Sequence, residues 1–235
     1  MIPLQDDNPT ELTPVVTIAF LIICVMVFFY QASLPPRPSE ALVFQYGAIP
    51  ALLFGEADLP AAIDIGVPAY ATLITSMFLH GGWMHLIGNM LYLWIFGNNV
   101  EDVMGHARYV VFYLTCGVLA ALSHALTDPT STIPMVGASG AISGVLGAYV
   151  LLFPHAHVLV FMPGLGMMRV AAGFVLGMWF VMQLLSGGMS IGGPGGGVAF
   201  FAHIGGFVAG MVLIGFFKRP EVPFFSPARS SRWDG

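Results

Sequence analysis

No charged side chain interrupts the chain between Glu11 and Arg37, between Arg108 and Asp128, or between Arg169 and Lys218. About 20 apolar residues in a helix span the ~30 Å hydrocarbon core of a bilayer. Backbone polar groups at that depth have to be satisfied within the protein, which favours helices. Six runs reach or approach this length: roughly 15–34, 82–100, 108–126, 137–153, 169–187 and 198–217. Composition agrees, since 8% of the 235 residues are charged and 57% are hydrophobic, against about a quarter charged in a soluble globular chain. The expected fold is an all-α polytopic membrane protein with a bundle of six transmembrane helices.

One membrane domain, 15–217, is expected between an N-terminal tail, 1–14, and a C-terminal tail, 218–235. The loop 35–80 is punctuated by prolines and carries apolar clusters suited to the interface. The segment "HVLVFMPGLGMM" is short and broken by Pro163 and Gly164, and is read as an interfacial connection rather than a seventh membrane element. The glycine-rich stretch 187–197 is read as a flexible loop, because it lacks the lysine and the strand–helix context of a phosphate cradle. Cys24 and Cys116 fall in apolar runs and read as small buried hydrophobes. Asp6, Asp7 and Glu11 precede the first run where a signal peptide would carry basic residues, so no cleavable signal is expected. No run of Lys and Arg interleaved with aromatics points to nucleic acid.

Six spans put both termini on one side, together with Arg108, Arg169, Lys218, Arg219, Arg229 and Arg232, and leave only Arg37 on the other. That asymmetry predicts cytoplasmic termini. Spans two, four and six then descend from the outer face, and each carries its unusual polar residues near its start: His80, His85 and Asn89; Ser139; and His203. At 1.5 Å per residue, Ser139 to Phe153 and His203 to Phe217 each cover about 21 Å. The three sites therefore share one depth, roughly 5–10 Å below the outer surface. His203, Gly206 and Gly210 lie at i, i+3 and i+7, and Gly140, Gly144 and Gly147 form a similar stripe beside Ser139. Small faces let two helix backbones approach closely. His85 and Asn89, four apart, share a helix face.

Taken singly, each feature has a plainer reading. A serine in a membrane helix commonly bonds its own i−4 carbonyl, a buried histidine can be structural, and glycine stripes are most often packing. His80 and His85, at i and i+5, are also conceivable metal ligands, but no carboxylate or HExxH pattern accompanies them. The remaining histidines read as a polar helix end (His124) and cytoplasmic loop residues (His106, His155 and His157). Coincidence of the three sites at one depth favours a chemical site.

These motifs resemble those of the rhomboid intramembrane serine proteases over nearly the whole chain. "HGGWMHLIGNM" is similar to the family's two histidines followed by asparagine, and Glu101 to Gly105 to its Glu-x-x-x-Gly. "GASG", 137–140, resembles Gly-x-Ser-Gly, and "AHIGGFVAG", 202–210, resembles Ala-His-x-x-Gly-x-x-x-Gly. The resemblance implies Ser139 as nucleophile and His203 as base, with His80, Gly137, Gly140, Gly206 and Gly210 in support. Two departures stand out. The loop 35–80 has no Trp-Arg pair, and the position four after the serine, where many members stack an aromatic on the histidine, is Ser143. No other residue in the sequence announces itself as the substitute.

A serine hydroxyl needs a base to become nucleophilic. With no Asp or Glu between Asp128 and Glu221, a Ser–His dyad without a carboxylate is expected. The oxyanion would be met by the Ser139 N–H, His85 and Asn89. No metal or other cofactor is implied. The expected substrates are transmembrane or juxtamembrane segments of other membrane proteins. The expected location is a bacterial plasma (inner) membrane, with the site toward the outer face. Two other functions fit the sequence less well. A catalytically dead relative usually lacks the serine or the histidine, and a small transporter usually carries intramembrane acids.

Overall fold

The computed structural model of the protein describes residues 1–56, 67–190 and 200–226. Six long helices dominate it: α1 (Val15–Ser33), α5 (Trp83–Met104), α6 (His106–Ala125), α7 (Ser139–Leu152), α8 (Ala172–Ser190) and α9 (Phe200–Phe217). Shorter helices α2 (Pro36–Tyr46), α3 (Pro50–Leu53) and α4 (Thr72–Thr75) fold the first long loop. Much of the glycine-rich stretch 187–197, together with Arg229 and Arg232, lies outside the described residues.

By length and composition, α1, α6, α8 and α9 are long and apolar enough to cross a membrane. Helix α5 has 22 residues, but His85, Asn89, Asn98, Asn99, Glu101 and Asp102 dilute its hydropathy. Helix α7 has only 14 residues, and every residue from Gly140 to Tyr149 is buried. A helix buried on all sides meets protein rather than lipid, so it need not match the bilayer in length.

The described residues also hold a three-stranded antiparallel sheet in the order β1-β2-β3, from β1 (Ile2–Asp6), β2 (His157–Met162) and β3 (Gly166–Ala171). The segment read as an interfacial connection is thus a β-hairpin, turning at Gly164 with φ +86°. Its partner strand comes from residues read as a tail. Because β3 takes up residues through Ala171, α8 begins three residues later than the expected start at 169.

Buried carboxylates fasten this end of the bundle. No side chain of its own caps α1, and Glu101 of α5 supplies the cap instead. Its Oε1 accepts from the Val16 N–H at 2.9 Å, and its Oε2 accepts from the Thr17 N–H at 2.8 Å and Thr17 Oγ1 at 2.7 Å. A carboxylate there meets orphan donors and the positive end of the helix dipole. Asp102 accepts from the Leu12 N–H at 2.9 Å. Asp6 accepts from Asn99 Nδ2 at 2.9 Å and from the Tyr149 hydroxyl at 2.8 Å. Two histidines expected in loops belong to this frame: His106 lies 2.6 Å from Glu101, and His157 lies 3.3 Å from Asp7.

Removal of the Glu101 carboxylate in Glu101→Ala takes the acceptor from the Val16 and Thr17 N–H groups and from the Thr17 hydroxyl. Removing one partner from a buried charged network costs about 3–5 kcal/mol, so thermal unfolding in detergent should show a loss of that order. An unchanged melting temperature would mean that other donors and acceptors replace the cap.

Candidate active site

Helices α7 and α9 form the most extensive pairing in the bundle, and glycine permits it. A Cβ on Gly206 would collide with the Gly140 carbonyl, and one on Gly210 with the Gly144 carbonyl. At this backbone contact His203 Nε2 and Ser139 Oγ lie 2.8 Å apart. Both side chains project from the α7–α9 seam.

Ser139 is the first residue of α7. Its N–H therefore belongs to the helix's opening turn, which has no intrahelical acceptor, at the positive end of the helix dipole. Ser143, one turn on, donates to the Ser139 carbonyl at 2.6 Å. The plain reading of an intramembrane serine thus describes Ser143, whereas the Ser139 hydroxyl meets His203.

The third strand of the site comes from α5. The Gly81 N–H donates to His85 Nδ1 at 3.2 Å, so a neutral His85 carries its proton on Nε2. That Nε2 lies against Gly137, where an added Cβ would fall 2.7 Å from it and 3.7 Å from Asn89 Nδ2. Gly137 also has φ +125°, so this position needs glycine for both space and backbone. Asn89 is buried, and its Nδ2 has no hydrogen-bond partner among the described residues. Two donors therefore lie beside Gly137, two residues before Ser139. His80 packs edge to face on His85 at 5.2 Å, and its carbonyl accepts from Gln31 Nε2 at 3.0 Å. Among the described residues no third His, Cys, Asp or Glu joins this pair.

The first loop is anchored without a Trp-Arg pair. Ala48 and Met135 exchange both backbone hydrogen bonds, at 3.0 and 2.8 Å. The Gly137 N–H donates to the Ser76 carbonyl at 2.9 Å, and Thr75 Oγ1 to the Tyr46 carbonyl at 2.7 Å. Loop backbone thereby fixes the approach to the serine. Beside Ser139 lies a small cavity walled by Gly117, Ala120, Ala121, Ala202 and Met77.

What the sequence left open was the support of His203. Helix α8 supplies it: Gln183 Oε1 lies 2.8 Å from His203 Nδ1, and the Trp179 ring sits 5.9 Å from the imidazole, tilted by 37°. Neither residue was singled out from the sequence. A glutamine in an otherwise apolar helix, one turn after a tryptophan, was the available signal.

The family model described as Rhomboid domain matches residues 68–220. The chain is similar to Rhomboid protein 1, mitochondrial, of Saccharomyces cerevisiae, being 34% identical over 99 residues, 40% of this chain and 29% of that protein. It is 41% identical over 76 residues to Rhomboid protease GluP of Bacillus subtilis, covering 32% of this chain and 14% of that protein. With Rhomboid-like protein 11, chloroplastic, of Arabidopsis thaliana it shares 28% identity over 156 residues, 63% of this chain and 52% of that protein. The chain thus spans about half or less of these curated relatives' lengths.

Because the α7–α9 seam has no room for a methyl group, Gly210→Ala should force the helices apart and separate His203 from Ser139. The expected result is a lowered melting temperature and lost reactivity of Ser139 toward a fluorophosphonate. Gly177→Ala on α8, where an added Cβ meets nothing within 4 Å, should change neither.

Proposed function

The chain belongs to the rhomboid family, and from that membership we propose that it is an intramembrane serine endopeptidase. It cleaves transmembrane or juxtamembrane segments of other membrane proteins with a Ser139–His203 dyad. The observation that carries this reading is the 2.8 Å contact between His203 Nε2 and Ser139 Oγ in an otherwise apolar helix pair.

In this reading His203 Nε2 takes the hydroxyl proton as Ser139 Oγ attacks the scissile carbonyl. The oxyanion forms within reach of the Ser139 N–H, His85 Nε2–H and Asn89 Nδ2–H. Such donors stabilise developing charge most when they are fixed beforehand in a dry site. His203 then passes the proton to the leaving amine, and the acyl-enzyme is hydrolysed by water entering at the open end of α7. The glycine- and alanine-walled cavity suits a small substrate side chain beside the scissile bond.

The protein is an integral, multi-pass membrane protein. We place α1 and α5 to α9 across the bilayer as six spans, with the sheet and both termini on the cytoplasmic side of a bacterial inner membrane. The end of α7 that carries Ser139 then faces outward. The basic residues Arg108, Arg169, Lys218 and Arg219 support this orientation.

A fluorophosphonate probe should label the detergent-solubilised protein, and Ser139→Ala or His203→Ala should abolish both labelling and cleavage of a transmembrane substrate. Persistent labelling of a folded Ser139→Ala protein would remove Ser139 as the nucleophile. Activity should survive EDTA, and loss with recovery on adding Zn²⁺ would turn attention to His80 and His85 as ligands.

The donor role of Asn89 makes a separate prediction. Asn89→Ala should lower kcat by roughly 10²–10³ with little change in KM, while melting within a few degrees of the parent. A variant that keeps more than about a third of kcat, a loss well under ~1.4 kcal/mol, would assign Asn89 to packing.

A further inference from the structure

A histidine base in a dyad has a freedom that the attack on substrate cannot tolerate. Neutral imidazole carries one proton, on either nitrogen, and can accept from serine at Nε2 only while that proton is on Nδ1. Which tautomer is present is set by the hydrogen bond the other nitrogen makes.

In this protein the other nitrogen meets Gln183, whose Oε1 lies 2.8 Å from His203 Nδ1. Gln183 and Trp179 are four residues apart on α8, and His203 and Phe207 are four apart on α9, so each pair shares a helix face. The two faces meet side by side. Trp179 contacts both His203 and Phe207, with ring centroids at 5.9 and 6.1 Å, and Phe180 stacks on Phe207 at 4.5 Å. This aromatic contact fixes where the glutamine sits along the seam, one turn from the tryptophan and level with the imidazole.

We propose that Gln183 is a positioning residue: its side-chain carbonyl accepts the His203 Nδ1–H, holding Nε2 as the acceptor for Ser139, while Trp179 restricts the ring's rotation. The inference rests on the serine-protease reading. In that reading α8 takes over the holding role that an aromatic at position 143 would perform.

The test uses the full-length protein in detergent, labelled with ¹⁵N-histidine, with the His203 signals identified by their loss in His203→Ala. The nitrogen shifts should show the proton on Nδ1 in the parent protein. Gln183→Met, similar in length but with no such acceptor, should give a mixture of tautomers or the Nε2–H form. Its kcat on a transmembrane substrate should fall by roughly 10- to 100-fold, part of the roughly 10²–10⁴-fold that a positioned base supplies, with KM within about twofold.

Finding the parent His203 protonated on Nε2 would overturn the proposal whatever the variants do. So would a Gln183→Met protein with more than half the parent kcat. A parent protein that neither reacts with fluorophosphonate nor cleaves would instead overturn the protease reading, while the tautomer would still be readable.

Discussion

Everything at the site depends on how closely two helix backbones approach. At Gly206 and Gly210 the space that a side chain would fill is occupied by the carbonyls of Gly140 and Gly144. In lipid, where no hydrophobic gain distinguishes helix–helix from helix–lipid contact, close packing of small residues is a principal source of association. The same packing sets the distance between the residues at the head of each stripe. Ser139 and His203 each sit within one turn of such a glycine, so little slack separates backbone contact from side-chain contact. A separation of even 1 Å between these helices would break a hydrogen bond of 2.8 Å.

The two ends of the bundle solve different problems. At the end away from Ser139, buried acids and their donors tie distant parts of the chain together. Glu101 joins α5 to α1, Asp6 joins β1 to α5 and α7, and Arg219 donates to the Asp102 carbonyl at 2.6 Å. Removing one of these acids strips several buried donors of their acceptor at once, which costs several kcal/mol. At the Ser139 end no carboxylate is buried among the described residues, and the buried Asn89 Nδ2 lacks a partner among them. One end is tied by hydrogen bonds to buried carboxylates, and the other keeps the Asn89 donor open.

Much of the site was legible because an apolar background makes polar residues conspicuous. Ser139, His203, His85 and Asn89 stand out in their runs, and their glycine neighbours follow helical spacing, a strictly local pattern. The sheet was not legible. Its strands pair Ile2 with Phe161 and Asp6 with Val158, across more than half the chain. Proline and glycine in "HVLVFMPGLGMM" also obscured a hairpin whose strands are only six residues each. Gln183 escaped notice for a related reason. Its partner lies 20 residues away on another helix, and nothing in a lone glutamine reveals which neighbour it faces. Glu101 was recognised as part of a motif, but its work as the cap of α1 is visible only once α1 and α5 are seen side by side.

The choice of an amide beside His203 follows from the medium. A carboxylate at that position would orient the imidazole and also stabilise its protonated form, as in soluble triads. Here the aromatic rings of Trp179, Phe180 and Phe207 line the seam beside His203, and an ion partly desolvated there costs free energy before any catalytic gain. The buried carboxylates Asp6, Asp7, Glu101 and Asp102 all lie at the opposite end, where backbone N–H groups and polar side chains receive them. A neutral amide meets the directional requirement without an isolated charge. It also gives less stabilisation to an imidazolium than a carboxylate would. In the protease reading, charge developing between His203 and the tetrahedral oxygen therefore has to be met chiefly on the oxyanion side, by the Ser139 N–H, His85 and Asn89. A base held by an amide and a hole built from several donors are thus two consequences of the same low-dielectric surroundings.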